Sequence, residues 1–211
     1  MERADHPATA GRVLAPGTPF LDPASQAPEA APPPEPDRAY KALVHVPALL
    51  EASPGKGGRV ALRTLLGGKP VSLRWTPWAQ ARARKLLSRA SPQQLVLAFW
   101  PRTDEAGTLV PKACTVYQVL LPQGGEGSFR VRGRLAAIDL AEGRFSVEIR
   151  PNPKGVLRKT FSLVLQASIS LLQSLPPAGT GVEVVGEFRP GSRRLVARKA
   201  VPAPLWDDPQ D

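Results

Sequence analysis

A Lys-led strand, a short helix and a strand pair follow one another twice in this 211-residue chain, and that repetition constrains the fold more than any single motif does. The first copy holds Lys69-Pro70-Val71-Ser72-Leu73, a helix around Leu86 and Leu87, and then Leu109-Val110-Pro111-Lys112-Ala113. The second holds Lys159-Thr160-Phe161-Ser162-Leu163, a helix around Leu171 and Leu172, and then Leu195-Val196-Ala197-Arg198-Lys199-Ala200. Self-similarity on this scale implies two small units of one kind.

Each copy extends into a longer strand pattern. In the second, Phe129, Val131, Gly133 and Leu135 alternate with Arg130, Arg132 and Arg134, the period of a half-buried strand. Phe145, Val147 and Ile149 form the next strand, and Phe161, Leu163 and Leu165 the third. Ser168 caps a helix bearing Ile169, Leu172 and Leu175; the strands Val182–Phe188 and Arg194–Val201 close the unit. In the first copy, strands are predicted over Tyr40–Leu50, Arg59–Arg63 and Pro70–Trp75. Thr76-Pro77 starts a helix with Ala79, Ala83, Leu86, Leu87 and Ala90 on one face. Leu95–Trp100 and Leu109–Leu121 then supply two more strands.

Three strands, a helix and two strands resemble the OB-fold (oligonucleotide/oligosaccharide-binding) superfamily, a five-stranded Greek-key barrel. Gly133 supports it, because the first strand of such a barrel must bend to serve both halves. The resemblance implies a mostly β protein of two tandem five-stranded OB-like barrels, each with one helix between strands three and four. The expected boundaries are a Pro/Ala-rich leader at 1–39, barrels at 40–122 and 128–203, a linker at 123–127 and an acidic tail at 204–211. Pro32-Pro33-Pro34-Glu35-Pro36 deprives the leader of donors and fixes φ, so it is predicted to be disordered.

Charge points to the partner. Residues 40–122 carry twelve basic and three acidic side chains, and residues 127–203 thirteen and five, whereas the chain ends are acidic. Cationic units of this kind attract polyanions, nucleic acid foremost. The single cysteine, Cys114, excludes an intrachain disulfide framework or a cysteine-cluster metal site, and reads as a small core residue. His6 and His45 belong to no nucleophile–base–acid set, and no phosphate-binding glycine loop is present, so neither catalysis nor a cofactor is expected. No apolar run suggests a signal peptide or a membrane span; the expectation is a cytoplasmic protein.

The resemblance implies binding across strands two and three of a barrel. Arg130, Arg132, Arg134, Arg150, Lys154, Arg158 and Lys159 of the second unit are the candidates for phosphate contact, on a face where only Glu148 is acidic. Arg59, Arg63, Lys69 and Arg74 are the candidates on the first unit's strands, beside a helix stripe of Arg82, Lys85 and Arg89. Among Trp75, Trp78, Trp100 and Tyr117, strand phase assigns Trp75 to the core and leaves Trp100 outward for base stacking. Phe129, Phe145, Phe161 and Phe188 share the inward phase, so the second unit would hold backbone more than bases, with weak sequence specificity. The predicted function is binding of single-stranded DNA or RNA; the alternative is a scaffold subunit of a protein or ribonucleoprotein complex. Protein partners would use the leader or the Trp206 tail, which reads as a frayed end or as a competitor folded onto the basic groove.

Overall fold

The computed structural model describes residues 37–54, 60–122 and 127–209. The leader up to residue 36, Arg59 and most of the expected linker lie outside the described residues.

β1 (Lys41–Pro54) buries Val44, Val46, Ala48 and Leu50 and turns Leu43, His45 and Pro47 outward. It pairs antiparallel with β2 (Val60–Leu66), which pairs with the short β3 (Lys69–Val71). After β4 (Arg74–Trp75), helix α1 (Pro77–Leu87) starts at Thr76, whose hydroxyl accepts from the Ala79 N–H. β5 (Gln93–Trp100) returns along β1, and β6 (Thr115–Leu120) pairs antiparallel with β5 and parallel with β4.

The second unit repeats this order. β7 (Ser128–Asp139), β8 (Arg144–Ile149) and β9 (Phe161–Gln166) form a meander. A five-residue helix, α2 (Ile169–Gln173), is capped by Ser168 and buries Leu172. β10 (Gly181–Arg189) pairs with both β7 and β11 (Arg194–Pro202), and β11 meets β9 in parallel at Val196 and Gln166. One parallel contact between the third and fifth strands, in a ring otherwise antiparallel, is the OB order. Both units have it.

Two expectations need correction. The third strand of the first unit is not continuous: Ser72 and Leu73 interrupt it, leaving β3 and β4. Leu109–Ala113, matched above to a closing strand, is loop and a 3-10 turn at Pro111–Ala113, and the closing strand begins only at Thr115. Proline cannot donate to a ladder, and Pro111 sits where the strand would have to start.

The bend at Gly133 has a steric cause. A Cβ there would lie 2.4 Å from the Glu148 carbonyl oxygen, so only glycine lets β7 curl across β8. A register shift between Leu135 and Ala137 completes the turn.

The two barrels share a sheet. β1 and β7, their equivalent first strands, pair antiparallel from Lys41↔Arg132 to His45↔Ser128. The β5–β6 loop of the first barrel also closes the gap that the second leaves between β9 and β11. Thr103 Oγ1 accepts the Val164 N–H at 2.8 Å, the Leu109 N–H donates to the Arg193 carbonyl at 2.8 Å, and Thr108 bridges Arg194. Leu109 is buried beneath this junction. Cys114 anchors the foot of the loop, its Sγ accepting from the Arg102 N–H and donating to the Val110 carbonyl, both at 3.3 Å.

Candidate nucleic-acid interface

Strand alternation puts Arg130, Arg132 and Arg134 on one face of β7, as predicted, but that face carries its own anions. Arg132 is mostly buried and grips Glu183 of β10 through Nε at 2.9 Å and through Nη2; Asp37 lies 3.6 Å from its Nη1. Arg130 remains exposed, 3.5 Å from Glu183. Arg134 donates to Asp208 at 2.8 Å, Asp207 at 3.1 Å and the Gly179 carbonyl at 2.7 Å. Arg150 meets Glu148 at 2.5 Å and Asp207 at 2.9 Å.

The expectation that Glu148 alone offsets these arginines is therefore corrected. Cross-strand register brings Glu183 opposite Arg132, and the chain end supplies the rest. Nor is the tail frayed: Leu205 is fully buried, and the Trp206 N–H donates to the Arg38 carbonyl at 3.0 Å. Asp207 also accepts from the Tyr40 hydroxyl at 2.9 Å. Burial works against the Asp207 charge, but the hydrogen bonds from Tyr40 and Arg150 and the charge of Arg134 outweigh it and hold the carboxyl below its usual range. Burial works against the Arg134 charge as well, but Asp208, Tyr40 and Asp207 outweigh it and raise the guanidinium pKa.

Three predicted residues, Trp100, Arg150 and Arg158, come together elsewhere. They line a cleft of about 450 Å³ between the start of β1, the end of β5 and the β8–β9 loop. Trp100 is half-buried, with Tyr117 stacked on it at 5.1 Å between centroids and 17° between planes. Across the cleft, the Arg102 guanidinium lies 3.4 Å from the centre of the Phe161 ring. Phe161 is thus half-exposed to the cleft rather than closed in the core, while Phe129, Phe145 and Phe188 are buried as expected. Burial lowers the Arg102 pKa.

The β8–β9 loop is held in place by Asn152, which accepts from the Tyr40 N–H at 2.8 Å and donates to the Tyr40 carbonyl at 2.9 Å. From that loop, Lys154, Arg158 and Lys159 are exposed with no anionic partner among the described residues. Among the described residues, a wider groove of about 880 Å³ between Gly67-Gly68 and Pro190 has no aromatic lining except Phe188, which is buried.

In the first barrel, Arg63 pairs with Glu51 across β1 and β2 at 3.3 Å, whereas Lys69 and Arg74 are exposed and unpaired among the described residues. Sequence reasoning missed Arg102, because its position in a loop gives no periodicity. Trp78, one of the four candidate rings but not the one selected, is 83% exposed. Among the described residues there is no helix long and apolar enough to cross a membrane, and no cluster of His, Cys, Asp and Glu that would hold a metal.

No family model and no curated protein matches this sequence. Among solved structures, a deletion mutant of the single-stranded DNA binding protein from Thermus aquaticus aligns with 82% of this chain and 97% of its own, with a TM-score of 0.41 and 15% identity. The OB assignment rests on the strand order above.

Proposed function

We propose that the tandem barrels bind single-stranded nucleic acid, without catalysis, in the cleft around Trp100. The observation that supports this reading is the pairing, at one cleft, of a stacked ring system with a loop of unneutralised cations. An unpaired base has a π-face for the Trp100 edge of the cleft, and its flanking phosphates reach Lys154, Arg158 and Lys159. Duplex DNA keeps its bases stacked inside and gains only the phosphate contacts. With Asn152, Arg102 and Arg150 of the cleft already hydrogen-bonded within the protein, recognition follows stacking and charge more than base identity.

Fluorescence anisotropy with single-stranded DNA, single-stranded RNA and duplex across a salt series tests this. Preference for single strands is expected, with log K falling as log salt rises by about 0.7 for each phosphate contacted. Equal affinity for duplex, or no binding at low salt, would contradict it.

A further inference from the structure

Positive charge is distributed unequally between the barrels in a way net charge conceals. The arginines of β7 and β8 are spent on internal ion pairs. By contrast, no acidic residue occurs anywhere between Glu51 and Asp104, a stretch that holds ten Lys and Arg residues. Helix α1 lies in that stretch. It buries Ala79, Ala83, Leu86 and Leu87 against the first barrel. At about 100° per residue, Trp78, Arg82 and Lys85 fall within an arc of about 60° that flanks the buried face, and Arg89 follows just past the Ser88 C-cap. All four are exposed, and none of the three cations has an anionic partner among the described residues.

We propose that this face of α1 is a second contact for the same nucleic-acid strand, with a base stacked on Trp78 and successive phosphates on Arg82, Lys85 and Arg89. The inference rests on the function proposed above and extends it to a surface outside the cleft. A single strand fits better than an acidic peptide. Every base offers a flat face to a solvent-exposed indole, whereas an acidic peptide needs an apolar groove, and Trp78 has only cations beside it on this arc. A rise of about 4.5 Å separates Arg82 from Lys85 along the helix, and Arg89 continues the row just past its end, a spacing that successive phosphates of an extended strand can follow.

The test uses the full chain and oligothymidylates of increasing length, with affinity and salt slope measured for Trp78→Ala, Trp78→Phe, the triple change Arg82→Glu/Lys85→Glu/Arg89→Glu, and Trp100→Ala. On strands long enough to span both surfaces, Trp78→Ala is expected to weaken binding about fivefold or more, with Trp78→Phe retaining most of it. The triple variant is expected to flatten the log K–log salt slope by about 2. Strands too short to leave the cleft are expected to respond to Trp100→Ala alone. Unchanged long-strand affinity and slope in the α1 variants, with Trp100→Ala still impaired, would overturn the helix contact and leave the cleft standing. Failure of the wild type to bind any single strand would remove both. A face that captures polyglutamate but no oligonucleotide would be a peptide-docking surface, and would also overturn the proposal.

Discussion

Asp207 sits where three elements meet, accepting from Tyr40, Arg134 and Arg150. Asp207→Asn keeps the shape and removes the charge that all three donors address. It is expected to lower the unfolding free energy at neutral pH by about 1–3 kcal/mol, read from urea midpoints. The pH dependence has a definite sign. A native carboxyl pKa held below the unfolded value, about 3.9, stabilises fully above that value, and the contribution is lost as pH falls through the lower native pKa. Stability should therefore fall more steeply under acid in the wild type than in Asp207→Asn. Burial pushes the Cys114 thiol up to about 11, and the side chain has no solvent access. At pH 8 a thiol-specific reagent should leave it unmodified until the chain unfolds; rapid labelling of the native protein would contradict the packing. The cysteine's place in the core was legible from its apolar neighbours. The tail's ion pairs were not, because a contact between residues 134 and 207 leaves no local periodicity in sequence.

Elements repeat the same lesson. Alternation located β7, β8, β9, β10 and β11 within a few residues, since one face of each is buried and the other wet. It failed at Leu109, whose burial comes from packing between barrels rather than from a strand. An apolar residue followed by Pro111 looks the same in either setting. Gly133→Ala is expected to destabilise by about 1–3 kcal/mol, because its Cβ meets the Glu148 carbonyl and β7 must uncurl to relieve the clash. A similar change at Gly68, where the added carbon meets nothing within 4 Å, should cost only the strain of its positive φ. Chemical denaturation of the two variants compares them directly, and the larger loss belongs to Gly133.

At the scale of the molecule, shared pairing between β1 and β7 and the Leu109 junction join the barrels into one sheet. A single calorimetric transition is expected, with Leu109→Ala lowering its midpoint by loss of about 2–5 kcal/mol; two resolved transitions in the wild type would contradict the coupling. The succession of strands and helices was legible because each strand of the second barrel buries one face and each helix begins at a capping residue. The candidate site was legible only in part: Trp100, Arg150 and Arg158 were identified, but that they meet, and that Arg132 and Arg134 are withdrawn, depends on how the barrels dock. The claim that joins these scales is that the cleft they form holds an unpaired base on Trp100. Its most direct test is a low-salt titration of a short oligothymidylate against wild type and Trp100→Ala, both first shown to melt cooperatively. Tight binding by the wild type and an affinity lower by about fivefold or more in Trp100→Ala is the expected result; equal affinity in the two proteins would contradict it.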